Sequence, residues 1–337
     1  MPLLAHTPLP AYARLAAAGV PVVAAADWDG PWLDLGLVNT MADGALEATE
    51  RQFLRLVAAG VPDFGVRLHV AGLPEIPRGA PARRHCDAHY LTLAQLRARP
   101  LDALIVTGAN IADPDLDRLF YKDALAQVIA FAESAVPTTL YSCLATHAVL
   151  HYRHGKRRRP LAAKRWGLFP HRVTAPGHPL VAGYGPSPIV PHSRWNDVPA
   201  DDFAAAGLQV LLADARDGSV HLAASADGRS VFMQGHPEYE PLSLLKEHKR
   251  EVGRFAAGER ADYPEPPTGM ATAAGLALLA DHRAAVEGTG TGGGPLPAYP
   301  EAGVLPHLHD TWYADTARFF AAWLAPTAGG ELRRRCR

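Results

Sequence analysis

A chain of 337 residues, 48% of them hydrophobic, has enough apolar side chains for a large core, and a formal net charge of −1 gives no overall field to recruit nucleic acid or an anionic membrane. No apolar run reaches the roughly 20 residues that span a bilayer, and the opening Met1-Pro2-Leu3-Leu4-Ala5-His6 lacks the basic-then-apolar pattern of a secretory leader. Cys86, Cys143 and Cys336 form no disulfide framework, so a reducing, cytoplasmic setting is expected, with neither a nucleic-acid nor a membrane partner.

In chain order, residues 35–39 read as a strand, 46–59 as a helix burying Phe53, Leu56 and Val57, and 66–70 as a second strand. Residues 101–108 read as a buried strand, 121–134 as a helix and 138–142 as another strand. This alternation predicts an α/β fold with a parallel sheet covered by helices on both faces, and ligand chemistry at the carboxyl ends of its strands. The basic run 153–159 has no aromatic interleaving and is expected to be a solvated loop, contact with an anionic cofactor being the lesser alternative. Short strands follow at 210–213, 220–224 and 230–233, with Asp227-Gly228 as a hairpin signal, and then a helix over 243–257. Residues 263–300 read as a Pro/Gly/Ala-rich surface insertion, flexible over the glycine-rich 288–294. A docking helix over 311–325 is expected to bury Trp312, Phe319, Phe320 and Trp323. The division predicted is an amino-terminal segment 1–34, an α/β domain 35–262, the insertion, a docking piece 301–328 of the same domain, and a tail 329–337.

Cys143 stands between the strand 138–142 and a helix-like stretch 144–150, at a sharp strand-to-helix turn. A thiol there faces the carboxyl edge of the sheet, and the positive end of the following helix favours its thiolate. A small buried hydrophobe is the competing reading, and the local sequence leaves both open. A thiolate nucleophile needs a base, and Gln234-Gly235-His236-Pro237-Glu238-Tyr239 offers one after a buried-type strand. Residues two apart in extended chain face the same side, which pairs His236 as base with Glu238 as its orienter. His85-Cys86-Asp87-Ala88-His89 and His307-Leu308-His309 lack a second cluster with zinc-site spacing, so no metal is expected.

Asn39-Thr40-Met41, Thr49-Glu50-Arg51-Gln52-Phe53-Leu54-Arg55-Leu56, Val106-Thr107-Gly108-Ala109, Cys143, Pro191-His192-Ser193-Arg194-Trp195-Asn196-Asp197 and Gly235-His236-Pro237-Glu238-Tyr239, in this order, resemble the homoserine O-succinyltransferase family over most of the chain. The resemblance implies a class I glutamine-amidotransferase-like, flavodoxin-like fold: a mostly parallel sheet flanked by helices, with a carboxy-terminal helical extension. It also implies a homodimer with no bound cofactor, and ping-pong transfer of succinyl or acetyl from acyl-coenzyme A to the hydroxyl of homoserine or a relative such as serine. In that scheme Cys143 attacks the thioester, His236 deprotonates the acceptor and Glu238 holds the imidazole, with the amides of Leu144 and Gly108 as oxyanion donors. Arg250 would meet the acceptor's carboxylate, with Arg194, Glu247 and Ser193 also on the substrate.

The chain departs from the family at several points. Met41-Ala42-Asp43-Gly44-Ala45-Leu46 replaces a lysine-bearing segment, Cys143-Leu144-Ala145-Thr146-His147 reshapes the surroundings of the thiol, and Trp312-Tyr313-Ala314-Asp315 alters a carboxy-terminal motif. Ala112 occupies the position where the family carries glycine with succinyl and glutamate with acetyl. A divergent member is the leading reading. A glutamine amidotransferase-like hydrolase using the same three groups and a degenerate small-molecule-binding member are the alternatives.

Overall fold

Eleven strands make one sheet in the computed structural model, which describes residues 2–60, 64–288 and 297–329. They are β1 (Leu3–Ala5), β2 (Val22–Ala24), β3 (Trp32–Val38), β4 (Gly65–Ala71), β5 (Ala103–Val106), β6 (Thr139–Ser142), β7 (Arg159–Val173), β8 (Ile189–Asp197), β9 (Gln209–Asp214), β10 (Val220–Ala224) and β11 (Ser230–Met233). The spatial order is β2-β1-β4-β3-β5-β6-β11-β10-β9-β7-β8. Pairing is parallel from β2 through β11 and antiparallel from β11 to β8, which is the mostly parallel, helix-flanked sheet expected.

The two-residue period of a strand explains the layers. Leu33, Leu35 and Leu37 face one core with Phe53 and Leu56 of the helix Leu46–Ala58 and with Phe319, Phe320 and Trp323 of the helix Tyr313–Gly329. Val38, Leu104, Val106 and Tyr141 face the other, against the helices Lys122–Ala135 and Leu144–His154. Strands buried on both faces read as continuous apolar runs, and this is why β3, β5 and β6 were visible in the sequence.

Two segments are built into this frame more deeply than composition suggests. The first 34 residues supply β1 and β2, which extend the sheet beyond β4, and bury Leu3, Leu4, Tyr12 and Leu15. Within 263–300, the helix Ala273–Gly288 and Met270, Ala271 and Leu279 share a core with Leu168, Leu244, Leu245 and Trp312. The segment is zipped onto β7 by Leu168 N donating to Thr268 O at 2.7 Å and Thr268 N to Trp166 O at 2.9 Å. Gly167, at φ +132°, is required there, because a Cβ would lie 2.2 Å from the Thr268 carbonyl oxygen. Most of the glycine-rich stretch expected to be flexible, and the tail from residue 330, lie outside the described residues.

The basic run is not the solvated loop expected throughout. Arg153 pairs with Glu133 at 2.9 Å and Arg157 with Asp117 at 3.4 Å on the surface, but Arg158 is only 6% exposed and donates to the carbonyls of Ile111 and Asp113. The Asp227-Gly228 turn joins β10 to β11 as expected, with Gly228 at φ +70° and Ser225 N donating to Ser230 O at 2.9 Å. No helix among the described residues is long and apolar enough to cross a membrane. Because β5, β6 and β11 are neighbours, the segments leaving their carboxyl ends converge, bringing together Gly108, Cys143 and His236.

Candidate active site

Cys143 has φ 51° and ψ −111°, the only positive φ outside glycine among the described residues. A side chain in such a region costs about 1–3 kcal/mol of strain, held here by Cys143 N donating to Met233 O at 2.6 Å and by the helix Leu144–His154 starting at the next residue. The amide of Leu144 belongs to a first helical turn, whose N–H groups have no intrahelical acceptor. Gly108 makes the close approach possible: a Cβ there would stand 2.7 Å from Cys143 Cβ and 2.8 Å from Leu144 N. Thr40 fixes this crossing, its amide donating to Thr107 Oγ1 at 2.8 Å and its hydroxyl to Gly108 O at 2.9 Å.

His236 Nδ1 and Glu238 Oε1 are 2.8 Å apart, and the imidazole interacts with the Cys143 thiol. The backbone holds the ring as well, since His236 N donates to Pro191 O at 2.8 Å, and Tyr239 stacks on it at 4.6 Å. Burial pushes the Cys143 thiol up, but the charge and hydrogen bond of His236, with Arg194 behind them, outweigh it and leave the thiol below its ordinary value. Burial likewise opposes charge on His236, yet the thiolate and Glu238 raise it well above the ordinary imidazole range. Both shifts favour the thiolate–imidazolium form of the pair, which a carboxylate orients.

Arg194, one of the residues placed on the substrate by resemblance, is buried inside the protein instead. It pairs with Asp197 at 3.1 Å and donates to His192 Nδ1. The hydrogen-bond chain fixes the tautomers behind it: His171 Nδ1 donates to Phe169 O at 2.9 Å, so His171 Nε2 accepts from His192 Nε2 at 3.2 Å. His221 Nδ1 accepts from Gly235 N at 3.2 Å and its ring lies edge-on to both. Burial lowers all three, His171 to about 4, and the Arg194 cation lowers them further. Arg194 thus supplies a fixed positive charge beside Cys143, and neutral imidazoles hold it.

Ser193 and Glu247 do meet. Glu247 accepts from Ser193 Oγ at 2.6 Å, Tyr239 OH at 2.7 Å and Lys164 Nζ at 3.0 Å. Burial pushes Glu247 up, but Lys164, Ser193 and Tyr239 hold it below the usual carboxylate range. Lys164 was not singled out in the sequence; its signal is its place on β7 above Trp166, 4.1 Å from the ring centre. The Glu247–Arg250 helix pair does not form. Arg250 is 55% exposed and its contact is Glu251 at 3.5 Å, so it stands at the surface beside this cluster. Ala112 is exposed on the loop leaving β5, its carbonyl held by Asn196 Nδ2 at 3.0 Å. A groove of about 710 Å³ lies between Asn110, Lys164 and Trp195 on one side and Arg254, Tyr263 and Arg283 on the other. His85, a metal-ligand candidate by spacing, instead bonds Glu50 Oε1 at 2.7 Å.

A family model described as homoserine O-succinyltransferase matches residues 2–328. Among curated proteins, the homoserine O-succinyltransferase of Allochromatium vinosum is 46% identical over 328 residues, covering 96% of this chain and 92% of its own length. That of Thiothrix nivea is 45% identical over 329 residues, covering 96% and 91%. Among solved structures, a glutamine amidotransferase from Thermotoga maritima superposes with a TM-score of 0.44 at 11% identity, over 68% of this chain and 86% of that one.

Proposed function

Because the chain belongs to the homoserine O-succinyltransferase family, we propose that it moves an acyl group from acyl-coenzyme A through Cys143 to the hydroxyl of homoserine, with succinyl as the acyl group. The observation that carries this reading is the buried Cys143 at a strained turn beside His236, with Glu238 on Nδ1 of the ring and with shifts that favour thiolate and imidazolium. The thiolate attacks the thioester carbonyl, and the amides of Leu144 and Gly108 receive the developing oxyanion. Coenzyme A leaves as its thiol, taking the proton from the His236 imidazolium.

Acylation changes the base. The Cys143 thiolate is the largest of the charges that raise His236, so esterifying the sulfur removes it and the imidazole drops toward neutrality. His236 is then a base of suitable strength for the acceptor hydroxyl, which attacks the acyl-sulfur bond and releases Cys143 as thiolate. Lys164, Glu247 and Ser193 form a mixed-charge cluster suited to an amino acid carrying both an ammonium and a carboxylate, with Arg250 at its rim.

Intact-protein mass spectrometry after mixing with succinyl-coenzyme A is expected to show one succinyl group on Cys143, discharged by homoserine faster than by serine. Ammonia release from glutamine without such an adduct would overturn the reading in favour of a hydrolase. The absence of both would favour a binding protein.

A further inference from the structure

Arg158 is the one arginine of the basic run that has been taken out of water. Its neighbours each have a carboxylate: Arg153 has Glu133 at 2.9 Å, Arg157 has Asp117 at 3.4 Å, and Arg159 has Asp202 at 3.2 Å. Arg158, at 6% exposure, has no ion pair among the described residues. Its Nη2 donates to the carbonyls of Ile111, at 2.9 Å, and Asp113, while its Nε is buried with no hydrogen-bond partner. A desolvated guanidinium satisfied by two neutral carbonyls is a costly arrangement, and an arriving carboxylate would relieve it.

Its place adds the second half of the argument. Residues 109–113 leave β5 directly after Gly108, which touches Cys143 and Leu144, so Arg158 grips the loop that begins beside the nucleophile. Asn196 holds the same loop from the other side through the carbonyl of Ala112. Arg158 also feels the Cys143 charge more strongly than that of any other group. Cys143 and a buried cation with no ion pair among the described residues therefore stand against the same short loop.

We propose that Arg158 is the specificity residue that receives the carboxylate at the far end of the succinyl chain, and so sets the protein against acyl thioesters that end in a methyl group. This rests on the acyl-transfer reading of Cys143. The two ends of such a donor are then recognised separately, the thioester carbonyl by the Leu144 and Gly108 amides and the distal carboxylate by the Arg158 fork. Holding a loop by its carbonyls or stabilising the thiolate would make Arg158 important for every donor alike. Reading a carboxylate makes it important for one class.

The test is the acylation half-reaction with succinyl-coenzyme A and butyryl-coenzyme A, which share a four-carbon chain but differ in the distal carboxylate, on the wild-type protein, Arg158→Met and Arg158→Lys. The wild type is expected to prefer succinyl by about 100-fold or more in kcat/KM, and Arg158→Met to lower that ratio at least about 30-fold. Equal losses with both donors would leave Arg158 a structural cation and overturn the proposal, as would a wild-type protein that prefers butyryl. If the methionine variant does not fold, Arg158→Lys decides, because it keeps the charge but not the fork: a ratio lowered about tenfold supports the proposal and an unchanged ratio overturns it. A wild-type protein acylated by neither donor refutes the acyl-transfer reading itself, and the proposal falls with it.

Discussion

His236 and the histidines packed behind Gly235 are equally dry, yet their titrations are shifted in opposite directions. His192 and His221 are fully buried and His171 nearly so, and all three are neutral beside the Arg194 cation. His236, 5% exposed, is shifted the other way, well above the ordinary imidazole range, because Cys143 and the Glu238 carboxylate flank it. Burial sets the same penalty in both places, and the sign of the nearest formal charge decides which way the ring goes. Gly235 is the partition between them, since a Cβ there would lie 2.7 Å from His192 Cε1 and 2.8 Å from His221 Nδ1.

The comparison breaks most completely at its anionic side. Cys143→Ala is expected to lower acyl transfer on the order of 10⁵-fold or more and to bring the His236 titration, followed by NMR, down toward the ordinary range. Glu238→Gln keeps the hydrogen bond but removes the charge, with a loss of roughly 10³-fold in kcat and a smaller fall of the His236 titration. Gly235→Ala drives a methyl group through the partition; steady-state kinetics should show a drop of roughly 100-fold as His236 shifts from Cys143. A wild-type rate in that variant would mean the two sets of rings are independent.

Acid probes the neutral side. The folded-state values of His171, His192, His221 and His147 lie below the 6.5 of a free imidazole, so below that pH the unfolded chain binds more protons than the folded one. Thermal unfolding should therefore move to lower temperature as pH falls from about 6.5 toward 4, and His171→Asn should flatten that slope. The smallest effect is expected at His147, whose Nε2 meets Gln234 Oε1 at 2.7 Å: His147→Gln can renew that bond, and the unfolding midpoint should shift by less than about 1 kcal/mol equivalent.

How much of this was legible depended on the kind of order involved. β3, β5 and β6 announce themselves by apolar runs, and Cys143, His236 and Glu238 by standing at strand ends, because those signals are local. β7 did not, since its first half mixes Pro160 and the basic Arg159, Lys164 and Arg165 with small residues and shows no clear alternation, and its partner β8 lies across a long connection. The Lys164–Glu247 contact and the burial of Arg158 arise from pairing between distant strands or loops, where residue type alone favours a solvated side chain. The order of motifs singled out Cys143, and three-dimensional pairing supplied the charges around it.

The helix Tyr313–Gly329 has a consequence for how the chain is made. Phe320 meets Phe53 across 6.3 Å, and Trp323 Nε1 donates to Thr138 Oγ1 at 2.9 Å, so the last helix described closes a face begun by the first strands. During synthesis, Leu33, Leu35, Leu37 and Phe53 are translated well before that cover emerges, leaving a nascent apolar surface of the kind chaperones engage. Completion of the sheet is thus tied to arrival of Phe319, Phe320 and Trp323, and ribosome-bound chains halted before residue 313 should remain protease-sensitive across the whole parallel half.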